Sequence, residues 1–222
     1  MCRTHPRPED TGQMNQQLFV GISGIIGAGK STLTTSLAQA LDATAYMEPV
    51  KENPYLENFY TDMARFGFTM QVFLLNKRFQ QHQEVVWGQR RAVQDRTIYE
   101  DTIFAQMLVE SGMMSKLDYE TYLDLFLNMT HFLERPTVIL HLDVDPEVAL
   151  ANVQRRARDC ETGLTLDYLK ALHAGYEDWI ERMKHRLTIV RVPWNTFGTT
   201  ESVLSYIKPY MGHPVARWGS KF

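Results

Sequence analysis

The sequence is poor in cysteine, and this scarcity excludes two kinds of protein. Cys2 and Cys160 are the only cysteines among 222 residues, one near the N-terminus and the other in a charged segment. They have no partners at the spacing of a metal site, and two cysteines cannot make the disulfide framework of a small secreted domain. The composition therefore predicts a protein of a reducing compartment, the cytoplasm.

Long apolar runs are also missing from the chain. No stretch approaches the roughly 20 apolar residues that a membrane-spanning helix needs. Residues 1–16 mix Arg, Pro, Glu and Asp and lack the apolar segment of a secretion signal. We therefore expect no membrane association, and we expect residues 1–16 to form a disordered N-terminal tail.

Charge of one sign is not in excess, and this limits the possible partners. The chain has 23 Lys and Arg against 26 Asp and Glu, a net charge of −3, with the cations scattered. A protein that follows a nucleic-acid backbone needs a basic stripe, so polymeric nucleic acid is not an expected partner. A chain of this length with 44% hydrophobic residues can bury one full core. We predict one domain over residues 17–222.

One stretch carries a specific chemical signal, because the apolar segment from Leu18 runs into a glycine-rich loop and then a helical pattern. The loop sequence GIIGAGKS fits G-x-x-x-x-G-K-[ST] at every fixed position. Its backbone N–H groups and the start of the following helix form a site for the polyphosphate of a nucleotide. In that site Lys30 would neutralise the β- and γ-phosphates and Ser31 would bind the accompanying Mg²⁺. The alternative is a glycine turn before an ordinary helix. The predicted nucleotide-binding residues are Gly24, Gly27, Ala28, Gly29, Lys30, Ser31 and Thr32.

Short apolar runs alternate with helix-length segments along the chain, which is typical of a parallel sheet covered on both faces. The predicted class is therefore α/β. The predicted strands are Leu18–Ser23, Ala43–Met47, Arg91–Gln94, Thr137–Leu142 and Leu187–Val192. The predicted helices are at about 31–41, 54–65, 69–87, 98–111, 118–134, 146–157, 165–184 and 200–211.

Polar side chains follow three of the predicted strands at the edge where open α/β sheets bind ligands, and Asp145 after the fourth strand is expected only to cap the next helix. Glu48 follows the second strand, and Asp95 and Arg96 follow the third. We expect these two strands to neighbour the strand of the glycine-rich loop. An acid in that place in P-loop proteins typically meets the Mg²⁺ shell. The simpler alternative is that an acid after a strand caps the next helix.

Arginines cluster at the end of the helix predicted at 146–157, in the sequence RRARDCE. Arg155, Arg156 and Arg158 could be a solvated helix end that suits the helix dipole. With a phosphate site elsewhere in the chain, the better interpretation is a lid at about 155–163 whose guanidinium groups close on a transferring phosphoryl group.

Two polar side chains interrupt the apolar stripe of the helix predicted at 69–87. Gln71 and Arg78 are seven positions apart, so they project from one face of the helix. They could be satisfied by a structural acid, or they could line a pocket. Asp101 on the next helix is the expected counter-charge for Arg78.

Together these segments resemble the deoxyribonucleoside kinases, most of all the bacterial deoxyadenosine/deoxyguanosine kinases, with deoxycytidine kinase a close relative. The resemblance rests on GIIGAGKST, the pair Glu48 and Pro49, QVFLLNKRF at 71–79, DRTIYED at 95–101 and RRARDCE at 155–161. It implies a P-loop fold like that of nucleoside-monophosphate kinases, with a five-stranded parallel sheet flanked by helices. It also implies a homodimer that transfers phosphate from ATP to the 5′-hydroxyl of a deoxyribonucleoside in nucleotide salvage.

The resemblance also implies roles at the reacting end of the substrate. Glu48 matches the general base for the 5′-hydroxyl, Asp95 the acid in the magnesium shell, and Arg96 the arginine between the 5′-oxygen and the phosphate. Arg156 and Arg158 match the lid arginines, and they make up the catalytic set with Glu48, Arg96 and Lys30.

At the other end of the substrate, Tyr60 and Glu161 match the pair that holds the sugar 3′-hydroxyl. Gln71 matches the amide that pairs with the base, and Arg78 and Asp101 match the pair that reads the base edge. Because a carboxylate only accepts hydrogen bonds, Asp101 favours a base with an exocyclic amine. The expected order is deoxyadenosine first, then deoxycytidine or deoxyguanosine, with thymidine poorest.

The chain departs from the family pattern at three positions. Asn152 stands where the family often has an arginine, which puts one contact to the phosphate donor in question. The ring usually stacked on the base falls at Ala105, with Phe104 beside it, and Met70 replaces an aromatic residue. These changes predict a base slot of altered shape.

Two alternative functions compete with a deoxynucleoside kinase. A thymidylate-kinase-like enzyme also has a P-loop, but it usually holds its acceptor phosphate with an arginine where this chain has Met47. The other is a non-catalytic nucleotide-binding subunit with the kinase fold. That alternative is disfavoured because a purely structural role does not need Glu48, Lys30, Asp95 and Arg96 together.

Overall fold

A computed structural model describes residues 17–49, 53–88, 91–156 and 163–212, so the predicted tail at 1–16 lies outside it. At its centre is a five-stranded sheet in which neighbouring strands are parallel. Each strand overlaps its predicted range, which confirms the α/β class. The strands are β1 (Phe19–Ser23), β2 (Thr44–Tyr46), β3 (Ala92–Asp95), β4 (Val138–Asp143) and β5 (Ile189–Pro193).

The strand order is β2-β3-β1-β4-β5, which places β1 between β3 and β4. The prediction that the second strand would neighbour β1 is therefore wrong, because β2 lies at the sheet edge beyond β3. Burial explains the difference: β3 is buried at every residue, whereas β2 has three residues and none of them is buried. A short, exposed strand suits an edge, and an apolar strand suits the centre.

Helices cover both faces of the sheet. Successive side chains of a strand point to opposite faces, and every residue of the central strand β1 is buried. The helices are α1 (Lys30–Ala40), α2 (Leu56–Thr61), α3 (Met63–Gly88), α4 (Asp101–Glu110), α5 (Lys116–Thr130), α6 (Pro146–Arg156), α7 (Leu166–Met183) and α8 (Thr200–Ile207). Short 3₁₀ turns lie at Ile98–Glu100 and Lys208–Tyr210. None of these described helices is both long and apolar enough to cross a membrane.

The predicted helices at 54–65 and 69–87 divide differently in the structure, because α3 begins at Met63. Asp62 ends α2 with a non-helical backbone (φ −146°), and its carboxylate accepts a hydrogen bond from the Arg65 N–H at 3.0 Å. This side-chain contact satisfies one of the free N–H groups at the start of α3. The long helix then continues through Gly67 and packs against α4.

Burial of His82 on α3 makes the fold sensitive to acid. Its Nε2 donates to the Glu134 carbonyl at 2.7 Å, and its Nδ1 has no hydrogen-bond partner. Burial lowers the pKa of His82 to about 4, although this hydrogen bond opposes the shift. The unfolded chain therefore takes up a proton near pH 6.5 that the folded chain does not bind until about pH 4. The stability that neutral His82 contributes is complete above about pH 6.5 and is lost as the pH falls toward about 4.

We predict that His82→Gln reduces this acid sensitivity, because an amide N–H can serve the same carbonyl without titrating. From about pH 7.5 to about pH 4.5, the free energy of unfolding of the wild type should fall by up to about 3 kcal/mol more than that of the variant. Urea unfolding at the two pH values measures these free energies for the wild type and for the variant. His185→Gln, at an exposed histidine, should behave like wild type. Equal losses in wild type and His82→Gln would contradict the prediction.

Candidate active site

The carboxyl ends of the strands open on one large cavity, about 1130 Å³ in volume. Ligands of open parallel sheets bind at this edge, and sites for one small molecule are typically about 300–1,000 Å³. The cavity is therefore larger than a site for one small molecule usually is. The predicted site residues that line it are Gly27, Gly29, Lys30, Ser31, Thr32, Glu48, Tyr60, Gln71, Arg96 and Arg156.

The glycine-rich loop between β1 and α1 forms one wall of the cavity. Gly29 has a left-handed backbone (φ +81°), and a Cβ there would lie 2.6 Å from Cε1 of Phe197. Phe197 comes from the loop after β5, lines the same cavity and is 60% exposed. The helix α1 begins at Lys30, so its unpaired N–H groups lie at this wall. Phe197 thus adds an aromatic surface beside the glycine-rich loop, and no sequence motif marked it.

Lys30 is buried against the loop. Its Nζ donates to the Ile25 carbonyl at 2.9 Å, and the residue is only 6% exposed. Burial, together with the nearby Arg96, lowers the pKa of Lys30 to about 8. The ammonium is therefore mostly charged at neutral pH, but it holds its proton less firmly than an exposed lysine.

Ser31 on α1 and Asp95 at the end of β3 meet, as a shared metal site requires. Ser31 Oγ donates to Asp95 Oδ2 at 2.5 Å, whereas Asp95 Oδ1 is buried and has no hydrogen-bond partner. Burial raises the pKa of Asp95, and the charge of Lys30 opposes this rise. A hydroxyl and a carboxylate with one unpartnered oxygen are ligands that Mg²⁺ accepts. The donor set therefore fits this ion.

Glu48 is held by two arginines at the cavity wall. Its Oε1 accepts hydrogen bonds from Arg96 Nη1 at 2.5 Å and from Arg78 Nη2 at 2.6 Å. Burial alone would raise the pKa of Glu48, but the charges of Arg96, Arg78 and Lys30 together lower it to about 2. Glu48 is therefore a carboxylate at any physiological pH.

Two glutamines fix the chain segment that carries Glu48. The strand β2 ends at Tyr46, so Glu48 lies beyond the ladder of the sheet. Gln81 on α3 donates from Nε2 to the Met47 carbonyl at 2.9 Å, and Gln94 on β3 donates to Gln81 Oε1 at 3.1 Å. The long helix and the neighbouring strand thus supply the support that a three-residue edge strand lacks.

Arg96 has an unusual backbone and is fixed on all sides. Its φ of +64° is in the left-handed region, which costs a non-glycine residue about 1–3 kcal/mol. Arg96 Nη2 donates to the Gly24 carbonyl at 3.1 Å, Nε donates to the Tyr176 hydroxyl at 3.1 Å, and the guanidinium lies 4.8 Å from the centroid of the Phe104 ring. These contacts tie the arginine to the loop, to α7 and to α4.

A capping box supports this arginine. Glu100 accepts from the Thr97 N–H at 2.9 Å and from the Tyr176 hydroxyl at 3.0 Å, and it is fully buried. The spacing S/T-x-x-E is a known sequence signal for such a box, and Thr97 and Glu100 have it. Glu100 could thus have been identified from the sequence as a structural acid, whereas Tyr176 could not.

The residues predicted to read the base share one feature, a buried polar atom without a partner. These atoms are Gln71 Oε1, Arg78 Nε and Asp101 Oδ2. The predicted ion pair is confirmed, since Arg78 Nη1 donates to Asp101 Oδ1. Burial raises the pKa of Asp101, and Arg78 opposes this rise. Gln71 lines the cavity, whereas Arg78 and Asp101 are 1% and 0% exposed and lie behind its wall.

Two of the departures from the family pattern, at Ala105 and Met70, were expected near the base slot. Phe104 lines the cavity, whereas Ala105 is fully buried in the core, so this part of the wall keeps an aromatic ring. Ala105 therefore does not itself line the slot, because one residue along a helix turns a side chain by about 100°, and the altered shape of the slot stays a prediction. Met70 does line the cavity, and its sulfur accepts from Asn53 Nδ2 at 2.8 Å.

The predicted lid is described only in part. Arg155 and Arg156 end α6 and line the cavity on the side of the glycine-rich loop. Arg158 and Glu161 lie outside the described residues, so their predicted roles stay predictions. The described end of α6 nevertheless places cations beside the phosphate loop.

Comparisons with known proteins agree on one family. Residues 20–207 match the family model for deoxynucleoside kinases. The chain is 44% identical over 189 residues to a deoxyadenosine kinase of Dictyostelium discoideum, covering 85% of this chain and 77% of that protein. It is 41% identical to a deoxyadenosine/deoxycytidine kinase of Bacillus subtilis, over 73% of this chain and 76% of that protein.

A solved structure gives the same result at the level of the fold. The structure of deoxyadenosine kinase from M. mycoides with bound dATP superimposes with a TM-score of 0.76 at 26% identity, covering 85% of this chain and 98% of that one. The same enzyme with bound dCTP gives a TM-score of 0.74. The predicted P-loop kinase fold is thereby confirmed, and a deoxynucleoside kinase is favoured over a thymidylate-kinase-like enzyme. The matched model and the similarity over most of the chain show that this protein belongs to the deoxynucleoside kinase family.

Proposed function

We propose that this deoxynucleoside kinase transfers the γ-phosphoryl group of ATP to the 5′-hydroxyl of deoxyadenosine, and more slowly to that of deoxycytidine or deoxyguanosine. One observation carries the proposal: Glu48, bound by Arg96, lies in the same cavity as Lys30 of the phosphate loop. An acceptor hydroxyl at the carboxylate and a triphosphate at the lysine meet in such a cavity, which is what phosphoryl transfer needs.

At the acceptor end, Glu48 accepts a hydrogen bond from the 5′-hydroxyl and aligns its oxygen. With a pKa of about 2, Glu48 is always ionised but is a weak base, so it takes the proton late, when the bond from oxygen to phosphorus is forming. A loose transition state needs little proton transfer before that stage. Arg96, held by Gly24 and Tyr176, stabilises the negative charge between the hydroxyl and the phosphate.

At the donor end, the glycine-rich loop and Lys30 bind the β- and γ-phosphates. Ser31 and Asp95 would hold Mg²⁺, which when bound neutralises charge on the phosphate oxygens. Phe197 offers its exposed ring to the base of ATP, because every nucleobase has a face that can stack on an aromatic side chain. Arg156 and Arg158 act on the transition state as the lid excludes water.

The deoxyribonucleoside occupies the part of the cavity between α2, α3 and α4. We assign its 3′-hydroxyl to Tyr60 and Glu161. The base pairs with Gln71 and is read at its edge by Arg78 and Asp101, because a buried polar atom without a partner calls for a ligand group to satisfy it. Burial raises the pKa of Asp101 to about 7, and the charge of Arg78 favours its ionised form; in that form Asp101 favours an amino group on the base.

We also propose that residues 17–222 form one catalytic domain and that two chains form a homodimer. Support comes from large apolar side chains on and after α5 that are exposed in the single chain. Leu117 is 73% exposed, Leu127 54% and Phe132 83%. Static light scattering on the purified protein measures the oligomeric state.

An assay with labelled ATP tests the proposed activity directly. The four deoxynucleosides and their monophosphates are offered as acceptors, and the products are separated. We expect 5′-monophosphates, formed fastest from deoxyadenosine and most slowly from thymidine. Phosphorylation of monophosphates alone would indicate a nucleotide kinase, and nucleotide binding without turnover would indicate a non-catalytic subunit.

The proposal predicts an alkaline limit on the use of ATP. As the pH rises through about 8, free Lys30 loses the proton that makes it a cation. Above this value kcat/KM for ATP should therefore fall by about tenfold per pH unit. Bound triphosphate favours the charged lysine, so kcat should stay level to a higher pH. Initial rates from neutral pH to about pH 9.5 give the pH profiles of kcat/KM for ATP and of kcat, and circular dichroism checks that the protein stays folded. A kcat/KM that is flat to about pH 9.5 contradicts the prediction.

A further inference from the structure

The side chain of Asn152 joins α6 to the phosphate loop. Its Nδ2 donates to the Gly27 carbonyl at 3.0 Å, and the two residues are 125 positions apart in the sequence. Asn152 is half-buried and lines the cavity beside Gly27. This is a direct contact between the loop that holds the donor phosphates and the helix that leads into the lid.

The packing of α6 on the loop shows that this contact is part of a close interface. A Cβ on Gly27 would lie 2.3 Å from the Ala149 carbonyl oxygen and 3.0 Å from a methyl carbon of Val153. Ala149, Asn152 and Val153 are spaced i, i+3 and i+4, so they form one face of α6. The helix therefore lies directly on the loop backbone, and Asn152 supplies the hydrogen bond in that face.

The hydrogen bond fixes the direction of one peptide group in the loop. A peptide plane has its carbonyl and its N–H on opposite sides, so holding the Gly27 carbonyl also directs the Ala28 N–H. The Ala28 N–H donates to the Ile25 carbonyl at 3.3 Å, and Lys30 Nζ donates to the same oxygen at 2.9 Å. The N–H thus lies on the side of the loop where the lysine is. Gly27 and Gly29 flank this residue with positive φ angles of 87° and 81°, so the loop backbone has few steric limits of its own and depends on such hydrogen bonds for its shape.

Asn152 also contacts the last turn of α6. Its Oδ1 accepts from Arg155 Nη1 at 3.4 Å, and Arg155 lines the cavity next to Arg156. One amide thus contacts the phosphate loop on one side and an arginine of the lid helix on the other. The amide is neutral and is bound to the loop backbone.

We propose that Asn152 is a positioning residue for the donor phosphates. It holds the backbone of the glycine-rich loop in the shape that binds the triphosphate and keeps α6 packed on that loop. The role depends on the proposed use of ATP, and it concerns the donor alone, because the contacts of Asn152 are with the loop and the lid helix. Loss of the amide therefore weakens ATP binding and leaves deoxynucleoside binding unchanged.

Two variants and a matched control test the proposal. Asn152→Ala removes the hydrogen bond and should weaken ATP binding by about 3- to 10-fold, the usual effect of one net hydrogen bond. Asn152→Asp keeps the shape but turns a carboxylate oxygen toward the Gly27 carbonyl and adds negative charge near the phosphates, so the loss should be greater, about 10- to 100-fold. Gln154→Ala, an exposed residue on the same helix, controls for changes in helix propensity and should bind ATP as wild type does.

The measurements are the Kd of a fluorescent, non-hydrolysable ATP analogue, the KM for ATP, the KM for deoxyadenosine, and the melting temperature. We expect the first two to rise in both Asn152 variants while the KM for deoxyadenosine stays within about twofold. Equal rises in both KM values, or an analogue Kd that matches the Gln154→Ala control, would overturn the proposal. Binding of the analogue does not require turnover, so it tests Asn152 even if the wild type proves to be inactive on deoxynucleosides. If Asn152→Ala does not fold, the analogue Kd of Asn152→Asp decides the test.

Discussion

Replacing Glu48 by glutamine should lower kcat by about 10²- to 10⁴-fold, the usual effect of losing a general base. Glutamine keeps the shape but cannot accept the proton of the 5′-hydroxyl. It also removes the negative charge that neutralises Arg78 and Arg96, both of which donate to Glu48 Oε1. We expect the KM for deoxyadenosine to change far less than kcat, because the sugar and the base are held by other residues.

Steady-state kinetics on Glu48→Gln and on Glu57→Gln give the comparison, since Glu57 is an exposed glutamate on α2. The control should match wild type. Retention of more than about a third of the wild-type turnover by Glu48→Gln would remove the assignment. A melting temperature for each variant separates lost chemistry from lost folding, because two buried arginines depend on this carboxylate.

The second large effect concerns Arg78 and Asp101, which form a fully buried ion pair. Removing one partner of such a pair typically costs about 3–5 kcal/mol of stability, because it leaves an uncompensated buried charge. Arg78→Met and Asp101→Ala should therefore each be strongly destabilised. The double variant should remain folded, lose activity on bases with an amino group and gain relative activity on thymidine.

The ratio of kcat/KM for thymidine to that for deoxyadenosine measures this change in base choice. Arg78 also binds Glu48, so the double variant should lose overall rate, and the ratio cancels a loss that is common to all bases. Buried polar pairs can discriminate between substrates by as much as ~10⁴-fold, so the shift should be large. The control is the double variant Lys184→Met with Glu181→Ala at an exposed ion pair on and after α7, which should leave the ratio unchanged.

A ratio that does not move in the Arg78 and Asp101 double variant would make this pair a structural one, with the base read elsewhere. The same conclusion would follow if the wild type phosphorylated thymidine as well as deoxyadenosine. The alternative is a real one, since both side chains lie behind the cavity wall and not in it. The unpartnered Arg78 Nε and Asp101 Oδ2 favour base reading.

Local patterns predicted the phosphate loop, the strands and most of the helices. A glycine-rich loop between an apolar strand and a helix is specified by neighbouring residues, as are β-branched runs such as that of β4. The boundary between α2 and α3 was missed because a hydrogen bond from Arg65 N–H to Asp62 sets it. The strand order was also missed, because it depends on how far each strand is buried.

By itself, the sequence determined where the glycine-rich loop lies and which side chains follow the strands, because these depend on spacing along the chain. Only the tertiary structure decided how those side chains pair. Glu48 meets Arg78 and Arg96 from 30 and 48 positions away, and Arg96 meets Tyr176 from 80. Asn152 meets the loop from 125 positions away. Contacts over such distances form only when the sheet and its helices pack, and burial then sets the charge state of the groups that they join.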